Sequence, residues 1–253
     1  MTILAADPAN SFEWMLFLAQ KYAGLFWEGS LITLYVSVAG TIAGFLLGYL
    51  IGIIEDIRVN PWDSRIKKGT VAAVKGLGRL YVELFRGTPM IVQGMILYYG
   101  LLQAGVNISS VAAGILVTVL NTGAYMSETV RGGIKSIDPG QREGALAMGM
   151  SPARTMFTVI LPQTLRVILP EMANMFLTNL KMTSVLNVIG VSELFMMAKT
   201  AGGTYYKYYE AYLVIAVIYL VLCFLFNRLF LLLEKRLAIR EGYTLAAEYM
   251  DSE

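Results

Sequence analysis

The apolar positions of this chain do not recur at the helical or strand period. They gather into runs of about 20 residues, the length that carries an α-helix across a hydrocarbon core. Five runs predict membrane helices at 29–54, 87–106, 109–130, 167–191 and 211–233. The expected fold is an all-α integral membrane protein. A soluble all-helical domain is the alternative, but it would not leave 109–130 and 211–233 nearly free of charge.

The segments outside the runs carry their own patterns. Phe12, Met15, Ala19, Tyr22 and Phe26 fall at helical spacing, and Trp14 and Trp27 suit the headgroup region, so residues 1–28 are expected to form an extracytoplasmic interfacial segment. With no basic start and no small-residue cleavage site, it does not read as a cleaved signal peptide. Asn60-Pro61-Trp62-Asp63 reads as a turn, and residues 71–86 as a charged helix lying along or entering the membrane surface. Thr88-Pro89 is a helix-start pair, so the second membrane helix begins at Pro89 or about ten residues earlier. Gly40, Gly44, Gly48 and Gly52 form a small-residue ridge for close packing, within the subunit or against a second copy.

Composition narrows the chemistry. Of 253 residues, 57% are hydrophobic and 15% charged, with no histidine and one cysteine, Cys223, inside an apolar run as a lipid-facing or packing residue. Histidine acid/base catalysis, disulfides and a Cys/His nucleophile are excluded, and no metal site is expected. The net charge of +2 says little, but its distribution sets an orientation. Arg58, Arg65, Lys67, Lys68, Lys75, Arg79 and Arg86 follow the first run, Arg131, Lys135, Arg142, Arg154 and Arg166 follow the third, and Lys235, Arg236 and Arg240 follow the fifth. The other side holds only Lys21, Lys199 and Lys207, which places the N-terminus outside and the C-terminus, with a tail at 237–253, in the cytoplasm.

Between the third and fourth runs lies EGALAMGMSPARTMFTVILP. Asp138-Pro139-Gly140-Gln141 has the form of a cap, with Asp138 as N-cap, Pro139 at the first helical position and Gln141 reaching back. A helix of roughly 12 residues is expected to Gly149 or Met150, then a second short helix from Ser151-Pro152 that Leu161-Pro162 stops. Gly144, Ala145, Ala147 and Gly149 would leave one surface nearly bare, open to close approach by another protein. An ordinary amphipathic connector is the alternative.

These residues resemble the EAA motif of ABC importer permeases, here Glu143-Gly144-Ala145, Gly149 and Ile160-Leu161-Pro162, with glycine in place of the first alanine. The runs Tyr81-Val82-Glu83-Leu84-Phe85-Arg86-Gly87-Thr88-Pro89, Asn121-Thr122-Gly123-Ala124-Tyr125, Arg131-Gly132-Gly133-Ile134, Thr183-Ser184 and Val188-Ile189-Gly190-Val191 are similar to its polar amino acid subgroup. The resemblance covers about 29–236. It implies a five-helix permease core of a type I ABC importer with a cytoplasmic coupling helix at 138–162, through which Glu143, Gly144, Ala145, Gly149, Ile160, Leu161 and Pro162 meet the ATPase. It also implies two ATPase subunits carrying ATP and magnesium, a second permease copy or homologue, an extracytoplasmic solute-binding protein, an amino acid substrate, and no cofactor or nucleic acid on this chain. The chain agrees in lacking a Gly-x-x-x-x-Gly-Lys-Ser/Thr phosphate loop; Gly76 and Gly78 only begin a glycine pattern.

Ionisable residues within the runs point inward or to water, because each costs about 2.5–3.5 kcal/mol on insertion scales. Thr118, Asn121, Tyr125 and Glu128 share one face of the third helix, with Arg131 beyond as a partner. Glu171, Asn174, Thr178 and Lys181 share a face of the fourth, followed by Thr183 and Ser184. The two stripes are expected to border one interior path, where Glu128 and Lys181 could meet the ammonium and carboxylate of a zwitterion. The alternative is that they only pack helices. The family often has an aspartate where Met182 stands. Glu83 and Arg86 are expected to form a structural ion pair, and Tyr205, Tyr206, Tyr208 and Tyr209 an outer aromatic belt. Other readings are an importer of an opine or cystine, a membrane enzyme built on Glu128, Glu171 and Lys181, and a non-transporting sensor subunit.

Overall fold

The structure, a computed structural model, describes residues 8–237, with side chains to residue 233. The side chains of Lys235 and Arg236, Arg240, and the tail beyond Leu237 lie outside the described residues. The α-helices are α1 (Ser11–Lys21), α2 (Ala23–Asp56), α3 (Arg65–Gly87), α4 (Met90–Gln103), α5 (Ser110–Ser136), α6 (Pro139–Ala147), α7 (Pro152–Thr155), α8 (Leu161–Met182), α9 (Leu194–Tyr205) and α10 (Tyr208–Leu237). Helices α2, α5 and α10 are each long and apolar enough to cross a membrane, and the stretch from α7 through α9, bent by 57°, makes a fourth.

The core is the pair α2–α5. Each ridge glycine of α2 sits where a Cβ would collide with α5: Gly40 with Thr118 at 2.4 Å, Gly44 with Thr122 at 2.6 Å, Gly48 with Met126 at 2.6 Å and Gly52 with Val130 at 2.7 Å. Both sets of numbers rise together, so the two helices run in the same direction. The ridge is therefore spent inside the subunit, and α5 buries Ala113, Val117, Ala124, Met126 and Val130 fully behind it.

The second crossing is broken rather than displaced. Helix α3 is capped by Ser64, whose hydroxyl accepts the Lys67 amide, and it runs to Gly87; Thr88 and Pro89 then interrupt the chain before α4. The 14 residues of α4 rise only about 21 Å at 1.5 Å each, short of the ~30 Å hydrocarbon core, so α4 needs the end of α3 to complete a crossing. Gln93 holds the break together: its amide donates to Phe85 O (2.8 Å), Thr88 O (2.8 Å) and Thr88 Oγ1 (2.9 Å).

Helix α8 also departs from expectation. Leu161-Pro162 does not stop a second short helix. The chain is helical from Pro152 to Met182, and Met156–Ile160 widens into a π turn just ahead of Pro162. Proline lacks an amide proton and clashes with the carbonyl four residues back, and a widened turn accommodates both. A 3-10 segment, Thr183–Ile189, follows α8 and ends at Gly190 with φ 82°, after which the chain turns into α9.

At the end opposite α6, α1 packs on α9 and α10. Leu18, outside the expected stripe, is fully buried with Phe26, Leu194, Ala198, Ala201, Ala211, Val214 and Ile215; Phe12 stays 64% exposed. The four tyrosines do not form one belt. Tyr205 packs inward on Trp14 and Phe17 and bonds Lys21, whereas Tyr206 and Tyr209 are exposed.

Gly48→Ala is expected to destabilise the protein by about 1–3 kcal/mol through overpacking, because its Cβ would lie 2.8 Å from the Gly123 carbonyl and the Ser127 amide, backbone atoms that cannot rotate away. Thermal unfolding in detergent measures this. Gly24→Ala, with nothing within 4 Å of the new methyl, should leave the midpoint unchanged or raised.

Candidate functional site

Helix α6 has two faces. Asp138 caps it as expected, accepting the Gly140 amide at 2.7 Å, with Pro139 in the first turn. The Gln141 side chain does not reach back to the cap; it accepts from Gln163 at 3.5 Å. The helix ends at Ala147, and Gly149 takes φ 82°, a left-handed corner that disfavours side chains. Ala145 is buried, so the bare surface expected from Gly144, Ala145, Ala147 and Gly149 is divided. The outward face carries Glu143, Gly144, Leu146 (42% exposed) and Met148 (79% exposed). Ile160 and Leu161 lie in the core with Val130, Ile134, Met156 and Ile168, while Pro162 is exposed.

The inward side of α6 holds a contact that sequence reasoning missed. Arg142 Nη2 donates to Asp56 Oδ2 at 2.6 Å, joining α6 to the last residue of α2. Eighty-six positions separate the two, so no local pattern reveals the pair.

A second cluster lies between α2, α3 and α5. Glu55, Arg79, Val82, Glu83, Arg86, Ser127, Glu128 and Arg131 line a cavity of about 420 Å³. Arg131 pairs with Glu128 as the spacing predicts, and Arg86 lies 3.9 Å from the same carboxylate, so the expected Glu83–Arg86 pair is replaced by an interhelical one. Arg86 also sits over the Tyr125 ring at 5.4 Å. Arg79 Nη2 is 3.2 Å from Glu55 Oε2, while Glu55 Oε1 is buried without a hydrogen-bond partner. The cavity thus offers fixed cations and carboxylate oxygens within a few ångströms of each other.

The polar stripes part company. On α5, Thr118 is buried against Gly40 and bonds Gly114 O, and the Asn121 amide donates to Gln93 Oε1 at 3.0 Å, bracing the α3–α4 break; Tyr125 is exposed, and Glu128 is half-buried in the cavity between Arg131 and Arg86. On α8, Glu171, Asn174, Thr178 and Lys181 are all exposed and point out of the subunit, and neither Glu171 nor Lys181 forms an ion pair among the described residues. The inward polar residue is Asn179, whose amide donates to Thr41 Oγ1 (2.8 Å) and Thr122 Oγ1 (2.9 Å), tying α8 to both core helices. Thr183 is buried on the Leu180 carbonyl, and Ser184 bonds Lys181 O.

Depth separates the two charges expected to share a zwitterion. Gly133 packs on Thr164 and Ile168, and Thr122 bonds Asn179, so α5 and α8 run antiparallel with Glu128 level with Glu171. Lys181 then lies about 15 Å further along the axis at 1.5 Å per residue. The ammonium and carboxylate on one α-carbon cannot reach both Glu128 and Lys181 within a subunit.

Helices long and apolar enough to cross a membrane, with a capped helix at one end, define a membrane-spanning subunit. Residues 69–239 match the family described as binding-protein-dependent transport system inner membrane components, and this chain belongs to that family. The probable amino-acid ABC transporter permease protein PatM of Vibrio harveyi is 40% identical over 146 residues, 56% of this chain and 66% of that protein, so the chain spans just under two thirds of it. The glutamine transport system permease protein GlnP of Escherichia coli (strain K12) is 35% identical over 162 residues, 63% of this chain and 74% of that protein. A crystal structure of an amino acid ABC transporter with histidines superposes with a TM-score of 0.76 at 34% identity, covering 91% of this chain and 100% of that one. An inward-facing MetNI methionine ABC transporter, 18% identical with a TM-score of 0.70, shares the fold. The chain is a multi-pass inner membrane permease subunit, and ATP hydrolysis belongs to its ATPase partners.

Asn179→Ala is expected to cost about 1–2 kcal/mol, since it orphans two buried threonine hydroxyls; unfolding in detergent reads the loss. Asn174→Ala, on the exposed face of the same helix, should leave stability unchanged.

Proposed function

We propose that this chain is the permease subunit of an importer that moves a polar amino acid, received from an extracytoplasmic binding protein, and that α6 docks a cytoplasmic ATPase. The observation that carries the reading is the two-faced α6: one side is tied into the membrane core through Arg142 and Ala145, and the other presents Glu143, Gly144, Leu146 and Met148 to a partner. The α6 end, bearing Arg58, Arg65, Lys67, Lys68, Lys135 and Arg154, faces the cytoplasm; the N-terminus lies outside and the C-terminus inside.

The exposed face of α8 supports a second permease copy. Glu171 and Lys181 in contact with lipid would each cost about 2.5–3.5 kcal/mol, so that face lines a water-filled path between two subunits, each docked to one of two ATPases. Tyr125, Glu128, Glu171, Asn174 and Lys181 border the path, with Asn121, Thr183 and Ser184 holding the wall behind them. A zwitterion at the Glu128 level meets a carboxylate for its ammonium and Arg86 or Arg131 for its carboxylate. Relatives named for glutamine and amino acids support that class of cargo.

The reading is tested by purifying the chain with its partners and measuring amino acid uptake into vesicles; uptake should require ATP and the binding protein, and uptake without either overturns it. Glu143→Arg should remove the ATPase from the purified complex. Glu128→Gln should leave the ATPase bound but reduce uptake by roughly tenfold, within the range of losing a charge-assisted contact.

A further inference from the structure

The Asp56–Arg142 pair is placed where a transmission element has to be. Asp56 is the last residue of α2, and a carboxylate there faces the partial negative charge of a helix C-terminus, an unfavourable position unless a cation meets it. Arg142 is that cation. Its guanidinium comes from α6, and both side chains are largely withdrawn from solvent, 19% and 13% exposed. The pair closes one wall of a recess of about 150 Å³ whose other walls include Arg58, Lys135, Asp138 and Glu143.

Helix α6 is flanked by extended backbone at Ile137 on one side and left-handed Gly149 on the other, and its other ties to the core are the buried Ala145 and the 3.5 Å Gln163–Gln141 hydrogen bond. Among the described residues, Arg142–Asp56 is the one ion pair between α6 and a membrane helix. The helix it reaches is braced against α5 one turn before Asp56, where the ridge glycine Gly52 lies against Val130. Arg142 directly precedes Glu143, about 100° around the helix, so the exposed residue offered to the partner and the residue that holds the core are adjacent.

We infer that Asp56 and Arg142 form a strut that carries displacement of α6 into the α2–α5 pair, making both positioning residues for coupled transport. The inference rests on the docking reading of α6. Without the strut, α6 would keep only its Ala145 packing and the Gln163–Gln141 contact, its displacement would not reach α2, and ATP would be hydrolysed without solute movement.

The test uses the full complex in vesicles, reading solute taken up per ATP hydrolysed and the amount of ATPase that co-purifies. D56N and R142Q should retain bound ATPase and basal hydrolysis but lose about tenfold in uptake per ATP, within the range of measured coupling energies. The charge swap D56R/R142D should recover most of it. Wild-type uptake per ATP in both single variants overturns the strut, as does a loss of ATPase binding in them that the swap fails to restore. If Glu143→Arg leaves the ATPase bound, the docking face is wrong; if it detaches the ATPase while D56N stays fully coupled, only the strut is wrong.

Discussion

The structure depends on two parallel helices, one of which carries no side chains along their seam. Gly40, Gly44, Gly48 and Gly52 let the backbone of α2 come against Thr118, Thr122, Met126 and Val130 of α5, with virtual Cβ distances of 2.4 to 2.7 Å. In a bilayer no hydrophobic gain drives helices together, so van der Waals contact at this range has to. Everything else attaches to that rod. Tyr81 of α3 reaches over Gly123 and donates to Leu120 O at 2.5 Å, and Asn179 of α8 bridges the rod from the other side.

Around the rod the helical chain is interrupted at three places. The α3–α4 break, the π turn before Pro162 and the 3-10 segment after Met182 would each leave backbone groups unsatisfied in lipid, and each is repaired locally. Gln93 serves the first, Gln163 donates to Val159 O at 2.8 Å in the second, and Asn187 donates to Ser184 O at 2.5 Å in the third. Beyond the third, Glu193 caps α9 by accepting the Phe195 and Met196 amides, with Tyr219 donating to it at 3.2 Å. A polar side chain at such a joint is occupied by the backbone. That separates Gln93, Asn121 and Glu193, which hold the frame, from the exposed Glu171 and Lys181, which form no ion pair among the described residues.

The same distinction organises the α6 end. Arg142 and Ala145 turn inward, Glu143, Leu146 and Met148 outward, and a nine-residue helix can do both because neighbouring positions differ by about 100°. The outer face of α6 is therefore carried on an element backed by the core.

The sequence by itself determined the class, the apolar runs, the helix starts at Ser109 and Asp138, and the family, because span length, capping chemistry and motif order are local and survive any packing. It also marked the glycine ridge and the Glu128–Arg131 pair, one turn apart on a single helix. Only the tertiary structure decided which surface the ridge faces, since four glycines pack equally well on a neighbour or on a second copy. It decided that Asn179, not the Glu171–Lys181 stripe, points inward, because helical spacing groups residues on a face without saying what that face meets. The Asp56–Arg142 contact lay beyond the sequence for the plainest reason: the two are brought together by the fold of the chain between them.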